Sequence, residues 1–424
     1  MTSSSVVTHA ELPWRQWLWA VQGVGLAVLT FLNFFPPAHG PARYLFFSLL
    51  LIAVAMRWKE GAPVWIRTPL DLPLLLLLGW ILLTVPFSID PDYSFREWRK
   101  LVAQALVFYW ATAVFRARPD TRPVRHVMHA VLLGTLVSAG YAVVEFMLQG
   151  GTWRDRFIRA GAFGSDYNWL STYMIMAIPL VLAAAATLRS RWMKGLSLGV
   201  AVLALLAEFA AYTRAGWLGL AAEGLAGAWL SGRRWLLVGL ILAFTAIGFG
   251  FVVASDLGFQ RSTADLWTLE VRVAVWKLAA ADLWHHPLVG VGYGNYNFVK
   301  RYAGQPELEK AYGPHSTFVV MGLGSGLPAL LLFGWLLLRI FLILTRSIKE
   351  HRSLSDADSR LVPFGAALMV VGFTVRNLFD YMFIGSLANL FWILIATALF
   401  CVEAQARDER LLASPQDSPI PGRG

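Results

Sequence analysis

Residues 169–188 read WLSTYMIMAIPLVLAAAATL and contain no charged side chain. A helix of this length rises about 30 Å, which matches the hydrocarbon core of a lipid bilayer. A strand of a membrane barrel would instead alternate apolar and polar side chains. The stretch therefore predicts a membrane-spanning α-helix.

The rest of the chain repeats this pattern. Of its 424 residues 57% are hydrophobic, and they are concentrated in blocks separated by short polar segments. The sequence predicts an all-α fold, a polytopic transmembrane helical bundle of about 12 spans. The predicted spans are 14–35, 44–56, 69–86, 101–115, 127–148, 169–188, 195–211, 215–230, 235–254, 317–345, 361–384 and 386–403.

The distribution of Lys and Arg predicts the orientation of the bundle. On one side, the loops 57–68, 116–126, 189–194, 231–234 and 346–360 hold 16 Lys or Arg in 48 residues. The short loops on the other side hold 8 in 46 residues. The positive-inside rule places the first set, and with it both termini, in the cytoplasm. Topology thereby accounts for the net charge of +10, and no nucleic-acid partner is expected.

Four segments follow from these spans. Residues 1–254 form spans 1–9, residues 255–316 form one long loop on the outer side, and residues 317–403 form spans 10–12. Residues 404–424 are rich in Pro, Ser and charged side chains and are predicted to be a disordered cytoplasmic tail. Because the long loop is the largest segment between spans, we expect the function to lie on the outer face.

The long loop has the periodicity of an amphipathic helix that ends before Pro287. Apolar side chains recur every three or four residues, and Arg272 and Lys277 flank the stripe. The stripe consists of Val273, Trp276, Ala280, Leu283 and Trp284. The glycine-rich segment from Gly290 to Asn295 follows, and it is either an ordinary tight turn or a cradle of N–H groups for an anion.

Several arginines lie on the outer side, where the positive-inside rule disfavours them. Arg154, Arg156 and Arg159 share one loop, and Arg214 ends a connection of a few residues that begins at Tyr212. Nearby carboxylates are one explanation. The other is an anionic ligand such as phosphate or pyrophosphate, which the forked guanidinium group binds with two donors. Arg214 stands closest to membrane depth, where a charge marks a functional site or reaches toward the headgroups.

Two further pairs of residues are candidates for a reaction centre. His315 and Ser316 lie where the long loop returns to the membrane, and a histidine there is suited to accept a proton. Arg376 and Asp380 are spaced i,i+4 near the outer end of span 11, which predicts an ion pair. With Cys401 as the only cysteine, disulfides and thiolate metal sites are excluded.

Three segments in this order resemble the O-antigen ligase and polymerase superfamily of bacterial inner membranes. They are Tyr212 to Trp217, Arg272 to Gly292, and His315-Ser316 followed by Gly322 and Gly326. The resemblance implies a GT-C-like bundle in the bacterial inner membrane, with its active site at the periplasmic loop. It also implies that a completed O-antigen glycan moves from undecaprenyl pyrophosphate to a sugar of lipid A–core, with Arg214, Arg272 and His315 as the catalytic residues.

The predicted partners are the undecaprenyl-pyrophosphate-linked glycan donor, the lipid A–core acceptor and membrane lipids. The sequence has several arginines on the outer side and no evident metal cluster. We therefore expect metal-independent, inverting transfer without a cofactor. The residues predicted to bind substrate are Arg154, Arg156, Arg159, Tyr212, Trp276, Lys277, Asn295, Ser316, Arg376 and Asp380.

Two alternatives stay open. Gly326 is followed by Leu327, Pro328 and Ala329, which departs from the ligase-like pattern and leaves an O-antigen polymerase with the same donor as the main alternative. A lipid-linked oligosaccharide flippase or transporter would need charges along a path through many helices. Intramembrane acids are few here, and the cations gather at one face.

Overall fold

The computed structural model describes residues 13–118, 122–152, 158–161, 163–164, 166–187, 190–236, 238–239, 241, 266–305, 313–350 and 357–413. Arg154, Arg156 and most of the predicted span 235–254 lie outside these residues.

The described residues form helices and no strand. The helices are α1 (Pro13–Leu32), α2 (His39–Lys59), α3 (Asp71–Thr84), α4 (Pro91–Ala117), α5 (Arg122–Leu148), α6 (Tyr167–Thr187), α7 (Arg191–Ala211), α8 (Arg214–Leu230), α9 (Leu266–His285), α10 (Asn295–Arg301), α11 (Thr317–Glu350), α12 (Ala357–Phe379) and α13 (Gly385–Ala413). Single 3-10 turns cover Pro36–Ala38 and Val85–Phe87.

Seven described helices are long and apolar enough to cross a membrane, and one shorter apolar helix covers Asp71–Phe87. The seven stretches are Pro36–Lys59, Arg122–Leu148, Tyr167–Ala185, Arg191–Ala211, Thr317–Lys349, Leu361–Phe379 and Gly385–Arg407. The all-α class is thereby confirmed. The total of about 12 spans stays a prediction.

Helix α6 lies at the centre of the bundle and packs against α7 and α12. It is apolar on all sides, as a helix enclosed by other helices must be. Helix α12 in turn contacts α8 and α11, and α13 lies against α4. This arrangement brings the first turns of α6, α8 and α11 and the last turn of α12 to one end of the bundle.

Helix α11 is broken at Ser325 and Gly326, where the backbone leaves helical geometry. The freed carbonyl groups accept hydrogen bonds from the glycine-rich segment, with Val291 N–H donating to Leu323 and Gly292 N–H donating to Gly324, each at 2.8 Å. These two N–H groups are therefore occupied, which argues against an anion cradle. Gly326 has φ +81°, and a side chain there would overlap the carbonyl of Leu288.

The amphipathic helix predicted in the long loop corresponds to α9, which ends at His285, two residues before Pro287. Its buried residues Val275 and Ala279 form a small core with α10 and the start of α11. Val273 and Trp284 of the predicted apolar stripe are exposed, so they are free to contact a membrane surface.

Helix α13 continues to Ala413, beyond the end predicted at residue 403. The first part of the predicted disordered tail, residues 404–413, is therefore helical. Gln405 is buried and accepts a hydrogen bond from Ser347 of α11. This contact explains why a segment of polar composition continues the helix.

Candidate active site

Asp380 lies directly after α12 and joins three of the residues that the sequence singles out. Its Oδ2 accepts a short hydrogen bond from Nη1 of Arg376, which confirms the predicted i,i+4 pair. Its Oδ1 lies 3.6 Å from Nη2 of Arg272 and 3.7 Å from Nδ1 of His315. One buried carboxylate thus faces two guanidinium groups and an imidazole.

The charges around Asp380 keep it ionised. Burial by itself would raise the pKa of this carboxyl, but the neighbouring His315 and the cationic Arg376 and Arg272 outweigh it and hold the pKa below its ordinary value. The carboxylate balances one of the two guanidinium charges beside it. The remaining charge is positive, which suits an anionic ligand.

The backbone around His315 is held in an unusual conformation. His315 has φ +46°, in the left-handed region that side chains other than glycine rarely adopt. The next residues clamp it: Thr317 N–H donates to the Asp380 carbonyl at 3.3 Å, and Ser316 Oγ donates to the Asn377 carbonyl at 3.4 Å. Backbone strain of this kind persists only where the surrounding structure holds the residue in place, and it is often found at functional sites. About a third of the imidazole is exposed, so it remains accessible.

Three buried N–H donors near Asp380 have no hydrogen-bond acceptor among the described residues. They are Nε of Arg272, Nε of Arg376 and Nε1 of Trp276. Trp276 lies one turn after Arg272 on α9, and its ring is 6.1 Å from that of Phe379. Since buried donors are normally paired, this group of donors favours a ligand that supplies acceptor oxygens.

Arg376 also connects the site to the start of α6. Its Nη2 donates to Oδ1 of Asn168 at 2.8 Å. The neighbouring Tyr167 ring lies 4.5 Å from the guanidinium carbon of Arg159. Arg159 therefore lies near the site. Asn168 was not predicted as a site residue. The only signal was its position, two residues after Asp166 at the start of an apolar helix.

Arg214 is the first residue of α8, and it is exposed. Helix α7 ends with Tyr212 in the left-handed conformation, so only Tyr212 and Thr213 connect the two helices. Thr213 Oγ1 donates to Ser171 Oγ at 2.7 Å. Because Ser171 is one turn after Asn168 on α6, Arg214 lies at the same end of the bundle as Arg376.

The close packing beneath Arg214 requires a glycine. Ser171 Oγ donates to Oε1 of the buried Glu208 at 2.8 Å. A Cβ atom at Gly216 would overlap Glu208, Ser171 and Thr213. Gly216 thus allows the first turn of α8 to approach this polar group.

The remaining predicted residues lie around this centre. Lys277 is exposed on α9. Asn295 lies against Gly313, two residues before His315. Ser316 is buried, and its hydroxyl accepts from Val319 N–H at 3.3 Å, so it caps α11.

Asp90 stabilises the start of α4. It caps α4 by accepting from Tyr93 N–H at 3.0 Å, and it pairs with Lys300 at 2.8 Å. Across the part of the chain that the structure describes, no three His, Cys, Asp or Glu side chains are grouped as metal ligands.

Residues 199–334 match the family model described as O-antigen ligase. The matched segment contains Arg214, Arg272 and His315, whereas Arg376 and Asp380 lie beyond it. No curated protein matches the chain significantly. The family match and the seven apolar helices indicate a multi-pass membrane protein. This match to residues 199–334 confirms the resemblance to the O-antigen ligase and polymerase superfamily.

Proposed function

We propose that this protein is a metal-independent, inverting glycosyltransferase of the ligase type. It moves a completed O-antigen glycan from undecaprenyl pyrophosphate to a sugar of lipid A–core. The observation that supports the proposal is the group formed by Asp380, Arg272 and His315, which combines a proton acceptor with cationic donors. Two of these three residues lie in the segment that matches the ligase family.

The proposed reaction is a direct displacement. The acceptor hydroxyl oxygen attacks the anomeric carbon of the donor, and the bond from that carbon to the pyrophosphate oxygen breaks. The hydroxyl proton passes to His315, and the electron pair leaves with the pyrophosphate. Attack opposite the leaving group inverts the anomeric centre. Arg214 and Arg272 stabilise the charge that develops on the leaving oxygen.

Asp380 acts as a positioning residue in this scheme. Nδ1 of His315 faces the carboxylate, so Nε2 is the nitrogen that is directed to the acceptor hydroxyl. The same carboxylate lies beside the Arg272 guanidinium. It therefore sets the proton acceptor and one phosphate ligand at a defined separation, which is the geometry that the displacement requires.

The other predicted substrate ligands are assigned to the donor and acceptor around this centre. Arg154, Arg156 and Arg159 provide further positive charge for the pyrophosphate, and Arg376 and Trp276 provide unpaired buried N–H donors. Tyr212, Lys277, Asn295 and Ser316 are assigned to the surrounding surface. The active site faces the periplasm of the bacterial inner membrane, and both termini are cytoplasmic.

An O-antigen polymerase is the second candidate, because it uses the same donor and differs in the acceptor. The observation in its favour is that the sequence departs from the ligase-like pattern just after Gly326, where α11 is broken. Purified protein with lipid-linked glycan should transfer the glycan to lipid A–core with equal rates with and without EDTA. Elongation of the lipid-linked glycan in place of that transfer would show a polymerase, and loss of activity in EDTA would refute a metal-independent mechanism.

A further inference from the structure

A second cavity lies at the opposite end of the bundle from His315. Its volume is about 800 Å³, and it is lined by α1, the end of α2, the α2–α3 connection and the end of α4. The length of α13 gives the separation between the cavity and the end of the bundle that contains His315. Ser386, at its start, hydrogen-bonds Tyr173 at 2.6 Å, and Glu403 pairs with Arg116 of the cavity wall. Ser386 and Glu403 are 17 positions apart, which corresponds to a rise of about 25 Å along the helix.

The cavity wall is strongly basic. Among the described residues, four arginines line it, and Glu60 is the only lining carboxylate. Glu60 accepts from Arg15 Nε at 2.7 Å and from Trp19 Nε1 at 3.3 Å, so its charge is already paired. If Glu403 is counted as the partner of Arg116, four positive charges face two negative ones, which leaves +2. The arginines are Arg15, Arg57, Arg67 and Arg116.

Among the cavity arginines, Arg67 retains donors for a ligand. Arg57 uses Nε and Nη2 on the carbonyl of Pro63, at 3.0 and 2.6 Å. Arg116 donates Nη1 to the carbonyl of Arg67 at 2.9 Å. Within the described residues the guanidinium group of Arg67 makes no hydrogen bond or ion pair, and it is exposed. A forked, uncompensated guanidinium group beside two others is a suitable partner for a phosphate group.

Trp65 lines the cavity, and three other exposed tryptophans are close in the chain to its lining residues Arg15 and Arg57. Trp58 is 81% exposed, and Trp14, Trp17 and Trp65 are 43%, 65% and 45% exposed. Tryptophan is enriched at the boundary between membrane and water, because its ring is apolar and its N–H is polar. The four rings therefore place the cavity at the depth of the lipid headgroups. This depth favours a membrane lipid over a soluble anion.

We propose that this cavity binds the headgroup of an anionic phospholipid, with Arg67 as a principal phosphate ligand. The loops that form it carry the excess of Lys and Arg that predicts the cytoplasmic side. The cytoplasmic leaflet contains anionic lipids, and basic pockets between membrane helices bind their headgroups. Placing a negative headgroup there relieves the repulsion among the arginines.

Native mass spectrometry of the purified full chain with added phosphatidylglycerol tests the proposal. The Arg67→Ala variant removes an exposed side chain and should fold normally. Its first phosphatidylglycerol should bind on the order of tenfold more weakly than in the wild type, which corresponds to the loss of one charge-assisted contact. The matched control is Arg125→Ala, which removes one exposed arginine at the start of α5, outside the cavity, and should bind like the wild type.

Two further arms identify the ligand. Phosphatidylcholine, which has no net charge, should bind equally to the wild type and to Arg67→Ala. Excess inorganic phosphate should leave phosphatidylglycerol bound. Equal phosphatidylglycerol affinity in the wild type and Arg67→Ala would overturn the site, and displacement of the lipid by phosphate would overturn the assignment to a lipid.

Discussion

Nδ1 of His315 lies 3.7 Å from Oδ1 of Asp380, although 65 positions separate them in the chain. The contact depends on the left-handed backbone at His315 and on the hydrogen bond from Thr317 N–H to the Asp380 carbonyl. These constraints turn the imidazole toward the carboxylate. The other ring nitrogen, Nε2, is then available to accept a proton.

The first prediction concerns His315. Replacing it with Ala should lower kcat by a factor on the order of 10²–10⁴ while donor binding persists, because a general base acts in the transition state. Since only the neutral imidazole accepts a proton, the wild-type rate should fall on acidification, and this dependence should vanish in the variant. Single-turnover assays across a pH series measure both effects. Collapse of donor binding would instead make His315 a phosphate ligand.

The second prediction concerns Asp380. Asp380→Asn leaves the buried Arg376 without its charge partner, which should cost about 3 kcal/mol of stability at neutral pH and lower the rate of transfer. Thermal unfolding in detergent and glycan transfer give the two readouts. The control is Asp282→Asn, since Asp282 pairs with Arg301 outside this group and its loss should leave transfer unchanged.

Asp380 also predicts how the stability of the protein depends on pH. Its pKa in the folded protein is below the ordinary value of 3.8, so the ionised carboxylate stabilises the folded state above about pH 4. This contribution should disappear as the pH falls through the lowered pKa. The unfolding temperature of the wild type should therefore approach that of Asp380→Asn below about pH 4. A constant difference at all pH values would contradict the assignment.

A third prediction separates Arg214 and Arg272 from ordinary surface cations. Ala at either position should lower kcat/KM by about 10²–10³, as for the loss of one transition-state donor. Lys should restore little, because it binds phosphate as a point charge and not as a fork. Lys300→Ala is the matched control on the same side, where the exposed pair with Asp90 contributes little. Normal transfer by both Ala variants would refute the phosphate role.

A fourth prediction concerns the glycine beneath Arg214. Gly216→Ala forces a methyl group into Glu208, Ser171 and Thr213, so it should destabilise the protein by about 1–3 kcal/mol and reduce transfer. Gly199→Ala on α7 places its methyl group in open space and should be neutral or slightly stabilising. Thermal unfolding of the two variants compares them directly. Equal stability would show that α8 moves away without cost.

The fifth prediction concerns topology. Helix α11 separates Gly304 and Lys349, and its unbroken part after Gly326 is long enough to cross the hydrocarbon core. Reporter fusions after Gly304 and after Lys349 should therefore report the periplasm and the cytoplasm, respectively. The same compartment for both fusions would reject the orientation.

Much of the architecture could be predicted from the amino-acid sequence. Uninterrupted apolar stretches such as residues 169–188 indicate helices, because a chain in lipid must satisfy its own backbone hydrogen bonds. The start of α11 at Thr317 and the end of α9 before Pro287 agree with the predicted boundaries. Local signals were sufficient there. The polar composition of residues 404–413 did not predict their helix, whose first turn is held to α11 through Gln405.

The sequence by itself predicted the helical class, the resemblance to the superfamily and the candidate residues Arg214, Arg272 and His315, since each depends on composition or on a local motif. Only the tertiary structure decided that Asp380 joins Arg272 and His315, that Asn168 supports Arg376, and that the glycine-rich segment pairs with the broken helix. These contacts connect residues far apart in the chain. Their geometry arises from helix packing, which no local pattern of side chains specifies.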